Sequence, residues 1–364
     1  MFKKTDPNPQ LDIFTAPSMQ LGIRASKKYS DPNAWHNQFY SLVTTKIDEE
    51  IFKPLFPEGK KSGRPNASIR ILVAMSVLKE GFGCSDEDLF EKCEFDLLTR
   101  KALGMELLTD VTPSIDTYYL FRRRICEYQE RTGIDLMQLC FEQLAGKHVH
   151  LLKISGKCVR MDSKLIGSNI ARQSRYELIH TTLVKFLKTC TLTHLSPEQE
   201  ERAKEYLKED SSKTVYRSDS DTLQSNLARI GNFIMEMLAV FPATSPAHDL
   251  LQRLFEEQYV VMDGKAVLRD KKEVKADSLQ NPNDPDATYR AKNDQKVQGY
   301  VTNITETVEE GKPNIITSVQ VETAVFADCH FLQEAVENSE RVTDSTIEDL
   351  YADGAYQSPD NREF

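Results

Sequence analysis

No stretch of this 364-residue chain approaches the roughly 18 consecutive apolar residues that a membrane-spanning helix needs. The opening MFKKTDPNPQ carries charge, but no apolar segment follows it, so no secretory signal is expected. The seven cysteines are scattered from Cys84 to Cys329 without a C-x-x-C pair. That pattern excludes a disulfide framework and points to reduced thiols in the cytoplasm. Histidine is sparse too: His148 and His150 form the one close pair, too few ligands for a zinc site. Internal repeats and low-complexity tracts are absent. Positive charge is also short, with 46 Lys and Arg against 56 Asp and Glu, a net charge of −10. Phosphate contacts want Lys and Arg, so a surface coated for nucleic acid is disfavoured, while a local basic patch stays open.

What is present reads as a helical region followed by a split β-containing region. Residues 1–30 are polar and carry prolines, as in a flexible arm. Residues 31–147 read as an all-helical unit. Asp31-Pro32 looks like a cap with a first-turn proline. Ser68 opens the apolar SIRILVAMSVLKEGFG, Ser85 caps an acidic helix, and Ser114 or Asp116 opens a helix over 112–133. In HVHLLKISGKCVRMDSKLI, residues 148–166, apolar alternation around Ser155-Gly156 predicts a hairpin or a bent strand pair. Four helical blocks follow within 173–260, where Leu223, Leu227, Ile230, Ile234, Met237 and Leu238 form an apolar stripe. Residues 262–296 are polar and turn-rich. A hairpin over 297–308 and 314–325, a helix at about 328–340 and a strand at 347–353 close the chain. The boundaries are therefore 1–30, 31–147, 148–172, 173–260 and 261–364.

Two short runs pose the functional question. KCVRMDSKLIGSN ends an apolar alternation on Asp162, and LYADGAY ends a strand-like run on Asp353. A carboxylate at the end of a buried strand is costly unless something neutralises or uses it. Two such aspartates meet only if their strands are neighbours in one sheet. They would then repel, and a divalent cation resolves that repulsion. This is the arrangement used in metal-dependent phosphoryl transfer. Spacing alone leaves open the alternative that both are ordinary turn aspartates.

Several segments, in order, resemble the DDE transposases of bacterial insertion sequences, of the type with an InsH-type helical N-terminal domain and an RNase H-like core. They are GRPNASIRILVAMSVLKEGFGCSDEDLFEKCEFDLLTRKALGM (63–105), TPSIDTYYLFRRRI (112–125), VRMDSKLIGSNIA (159–171), DPDATYRAKNDQKVQGYVTNITET (284–307) and LYADGAYQSPDN (350–361). The resemblance implies an α+β fold: an all-helical N-terminal domain, then an RNase H-like mixed sheet interrupted by a helical insertion. It implies that Asp162 and Asp353 are the first and second catalytic aspartates and ligands of Mg²⁺ or Mn²⁺. The family's third carboxylate, a glutamate, would stand further downstream than Glu363. With its last residue at Phe364, the chain is expected to be inactive alone. The implied function is transposition: binding double-stranded DNA at terminal inverted repeats, then cutting and joining strands into target DNA. A homodimer and a nucleoid-associated, cytoplasmic location go with it. Two other readings remain, an inactive DNA-binding fragment or regulator, and a different RNase H-like nuclease.

The best basic patch is Arg122, Arg123 and Arg124, with Arg64 and the Lys60-Lys61 pair. Three successive arginines fan over a wide arc of a helix, so phosphate contact competes with a solvated, salt-bridged face. The helix 114–128, with Thr117, Tyr118 and the arginines, is the expected DNA-facing element, because 85–96 is too acidic for a groove. Tyr289, Arg290 and Lys292 either touch DNA or edge a loop. Asp328 reads as a helix cap, Asp284 and Asp286 as turn residues, and Tyr356 as packing over the Asp353 strand end.

Overall fold

The computed structural model describes residues 2, 4, 17–56, 66–242, 245–292 and 295–364. The chain divides into two units. Unit 1 comprises Met1–Val159, Glu306–Ser318 and Glu337–Leu350; unit 2 comprises Arg160–Thr305, Val319–Val336 and Tyr351–Phe364. Among the described residues, no helix is long and apolar enough to cross a membrane.

Unit 1 begins with helices α1 (Pro17–Gln20), α2 (Ile23–Tyr29), α3 (Trp35–Leu42), α4 (Ile69–Phe82), α5 (Asp86–Phe95), α6 (Leu97–Leu103), α7 (Ile115–Thr132) and α8 (Leu136–Leu152). Their starts follow local chemistry. Ser68 Oγ accepts from the Ile71 N–H, Ser85 and Asp88 form a reciprocal capping box, and Ser114 Oγ accepts from the Thr117 N–H. The Asp31-Pro32 cap is not used, since α3 starts after Ala34. The core gathers Leu72, Met75 and Leu78 of α4, Leu89 and Cys93 of α5, and Tyr118, Phe121 and Ile125 of α7. The buried Arg100 donates to the carbonyls of Cys93, Leu107 and Asp110 at 3.0, 2.7 and 2.9 Å. Its guanidinium thereby ties the loop after α6 to the end of α5.

The hairpin expected around Ser155-Gly156 does not form. Residues 148–152 finish α8, because Cys140, Ala145 and Val149 continue its buried face at helical spacing. A single strand follows, β1 (Cys158–Gly167). Gly156 serves close packing instead: with φ 71° it lies where a Cβ would come within 2.5 Å of the Thr343 Cβ.

Unit 2 holds helices α9 (Arg175–Leu187), α10 (Pro197–Lys208), α11 (Ser211–Arg217), α12 (Ser220–Val240) and α13 (Pro246–Gln258). The α12 stripe of Leu227, Ile230, Ile234 and Met237 is buried with Ile179, Leu183, Leu251 and Leu254 in one core. The inserted helices thus spend their apolar faces on each other. Strands β2 (Tyr259–Met262) and β3 (Lys265–Leu268) form a hairpin in a stretch read from sequence as helix end and turn. Asp263 and Gly264 turn it with φ 48° and 73°, the primed-turn conformation that an Asp-Gly pair favours.

The remaining elements are β4 (Thr288–Lys292), β5 (Gln295–Thr307), β6 (Ile316–Thr323), α14 (Leu332–Thr343), β7 (Asp349–Tyr351) and α15 (Pro359–Glu363). The result is the mixed α and β architecture expected, a helical N-terminal region followed by a sheet with parallel and antiparallel strands. The sheet runs β4-β5-β1-β7, with β6 also paired to β5. The hairpin of β5 and β6 forms as read, with the Thr307 N–H donating to the Ile315 carbonyl and the Ala324 N–H to the Gly299 carbonyl. Strand β1 runs antiparallel to β5, with Ser168 N–H on Gln298 O and Val308 N–H on Cys158 O, both at 2.9 Å.

At Gly299 the two strands come too close for a side chain. A Cβ there would lie 2.2 Å from the Ile166 carbonyl oxygen and 2.6 Å from the Ser168 nitrogen. Neither is a flexible group that can move aside. Gly299→Ala is therefore expected to cost about 2 kcal/mol, read as a lower urea midpoint. An unchanged midpoint would mean that this approach is not a constraint.

Candidate functional site

Strand β1 sorts its side chains by alternation. Val159 and Met161 are buried, whereas Arg160, Asp162, Lys164 and Ile166 are exposed. Asp162 therefore sits mid-strand, not at a strand end as the sequence suggested. Its Oδ1 accepts from the Ser163 N–H at 2.8 Å. Asp353 lies two residues beyond β7 and caps the 3-10 turn Gly354–Tyr356, its Oδ1 accepting from the Ala355 N–H at 2.8 Å. β1 and β7 are neighbours in the sheet. Each carboxylate accepts from a local amide, and both residues are exposed.

The residue joining their surroundings is Tyr356, 1% exposed. Its hydroxyl donates to Asn303 Oδ1 at 2.7 Å. Burial pushes the phenol up to about 12, the nearby Ser163 hydroxyl acts in the opposite sense, and the negative charges of Asp328, Asp162 and Asp353 push it up. The two aspartates singled out from sequence thus act on one buried hydroxyl, and Asp328 joins them. Asp328 does not cap a helix. The cap position is Ala327, and the Asp328 side chain is 4% exposed, with Arg290 Nη1 at 3.5 Å from its Oδ1. Arg290 also donates to the carbonyls of Ala324 and Phe326. It braces the interior.

Two exposed carboxylates suit a hard cation that keeps several waters, as Mg²⁺ does. Among the described residues, no three His, Cys, Asp or Glu side chains are grouped to hold a metal ion. The donor set therefore fits an open, two-carboxylate site and not a closed protein cage. Asp284 forms a separate polar knot at the far end of β1, accepting from the hydroxyls of Ser168 and Tyr300. Burial and the Asp284 bond raise the Tyr300 phenol.

The expected DNA-facing helix, α7, presents its residues unevenly. Tyr118 is core: it is 1% exposed, its hydroxyl accepts from Ser76 Oγ at 3.2 Å, and its ring meets Phe90 edge-on. It cannot reach a groove from there, because the stripe Tyr118, Phe121, Ile125 faces inward at helical spacing. Arg122 lies over the Tyr118 ring, 4.0 Å from Asp86. Arg123 pairs with Glu127 at 3.6 Å. Arg124 lies over the Phe56 ring and, with Thr117, lines a cavity of about 500 Å³. The three arginines point three ways, and acidic neighbours engage two of them. Arg64, Lys60 and Lys61 fall outside the described residues.

Residues 28–124 match the family model described as a transposase domain (DUF772). Residues 28–124 of the helical region are thus similar to a transposase domain. No curated protein and no solved structure matches the chain.

Folded Tyr356 holds its proton above the ordinary tyrosine pKa of about 10. Its contribution to stability is complete below that pH and is lost as pH rises towards about 12. Asp162→Asn and Asp353→Asn each remove a charge that raises the phenol, so each is expected to lower its titration. Phenolate absorbance, with Tyr356→Phe as the blank, reads the shift. An unmoved titration in both variants would put the carboxylates out of reach of that hydroxyl.

Proposed function

We propose that this chain is an insertion-sequence transposase of the DDE type. It binds element-end DNA through its helical region and carries two carboxylates, Asp162 and Asp353, of an RNase H-like site for DNA strand cutting and joining. The observation behind this reading is that Asp162, on β1, and Asp353, just past the neighbouring β7, bear on the same buried Tyr356 hydroxyl. The transposase-domain match over 28–124 supports DNA as the substrate class. Double-stranded DNA, at element ends and at targets, is the partner, and a second copy of the chain would bring two ends together.

Asp162 and Asp353 would hold Mg²⁺ or Mn²⁺. Bound there, the cation would make a water or a 3′-hydroxyl a better nucleophile and stabilise the leaving oxygen. The protein's own part is to hold two like charges at fixed places, one on β1 and one just past the neighbouring β7. On unit 1, the exposed Arg122 and Arg123 contact phosphate only by exchanging their Asp86 and Glu127 partners for DNA. That exchange makes binding sensitive to salt.

The second reading, a DNA-binding protein without cleavage, is favoured by the lack of a third grouped carboxylate among the described residues. A Mn²⁺ titration by calorimetry tests the first. Heat of binding in the parent chain that disappears in both Asp162→Asn and Asp353→Asn is the expected result. Binding that survives either change, or a parent that binds no Mn²⁺, would sink the shared site. Binding to end DNA without Mn²⁺-dependent nicking would favour the second reading.

A further inference from the structure

The interior of unit 2 spends polar side chains where apolar ones would pack. Asn303 is fully buried, Tyr356 is 1% exposed and Gln320 is 8% exposed. They form one hydrogen-bonded file. The Tyr356 hydroxyl donates to Asn303 Oδ1 at 2.7 Å, Asn303 Nδ2 donates to Gln320 Oε1 at 2.9 Å, and Gln320 Nε2 donates to Glu334 Oε2 at 3.0 Å.

The direction of the file follows from its terminus. A carboxylate only accepts, so the end of Gln320 that faces Glu334 must be its NH₂. The Gln320 oxygen then faces Asn303, which must offer its own NH₂ and turn its oxygen towards Tyr356. The phenol has one proton and gives it to that oxygen. Every bond thus points from the Asp353 turn through β5 and β6 to α14. Losing the last acceptor frees both amides to flip, and a flip in either leaves a buried group without its partner.

We infer that Glu334, acting through Gln320 and Asn303, is a positioning residue that holds the Asp353–Tyr356 turn against β5 and so sets the place of the Asp353 carboxylate. The link to cation binding rests on the proposed function; the positioning does not. The Ala355 N–H donates to Asp353, so its exchange rate reads that carboxylate without metal.

The test compares Glu334→Ala with Glu334→Gln in the full chain. Glu334 lies on an exposed helical position, where alanine favours the helix. Glutamine keeps an acceptor oxygen. In Glu334→Ala, amide exchange by NMR at Ala355 is expected to quicken about tenfold while the urea midpoint holds. In Glu334→Gln it should match the parent. Mn²⁺ affinity should fall by about tenfold in Glu334→Ala and in Tyr356→Phe, the size seen when residues orienting ligands are removed. Unchanged exchange in Glu334→Ala overturns the inference, as does equal loss in both Glu334 variants. So does faster exchange with unchanged Mn²⁺ affinity in a parent that binds. If the parent binds no Mn²⁺, the metal reading of Asp162 and Asp353 falls, and the exchange rates alone decide the positioning.

Discussion

A buried phenol must place its hydroxyl proton, and the bond from Tyr356 to Asn303 is where the candidate site is held together. Leaving such a group unsatisfied costs about 1–3 kcal/mol, so the turn after Asp353 stays docked as long as Asn303 offers its oxygen. Asn303 can do so only in one amide orientation, and its neighbours dictate which. The Asp353 carboxylate then inherits its position from neutral groups. That division suits a pair of like charges, which gain nothing from each other and need an external framework. The gap at Gly299 serves the same end, because it lets β5, which carries Asn303, lie close to β1.

Much of this was legible in the sequence, in proportion to how local the cause was. The starts of α4, α5 and α7 could be read from Ser68, Ser85 and Ser114, whose caps depend on residues three positions away. The β2-β3 hairpin was equally local and was passed over. Asp263-Gly264 between VVM and KAV is a strong two-residue turn signal. HVHLL carried both periods at once, and only the continuing buried face of α8 decides for helix. Tyr118 shows the opposite weakness. It lies on the same stripe as Phe121 and Ile125, so its burial was available from spacing, but its neighbouring arginines drew attention to the wrong face.

The candidate site itself was half legible. Asp162 and Asp353 stood out as carboxylates in apolar strand contexts, and family resemblance joined them. Asp328 could not be read correctly, because its burial depends on Arg290, which is remote in sequence. From sequence, a short polar residue before an apolar helix looks like a cap. The amides of Asn303 and Gln320 gave no signal at all, since polar residues on strands ordinarily face solvent.

The division of the chain has a consequence for how the protein is made. Each unit is assembled from three separate stretches, and the chain passes between units within β1, β5, β6, α14 and β7. A ribosome therefore releases α1 to α8 long before residues 306–318 and 337–350 exist to complete unit 1. Until they emerge, the start of β1 lacks its partners there, Val308 and Glu348. Such late, long-range closure slows folding and leaves strand edges open to pairing with other chains. Neither unit can be isolated by a single cut, so a stop introduced before residue 337 leaves both unfinished at once.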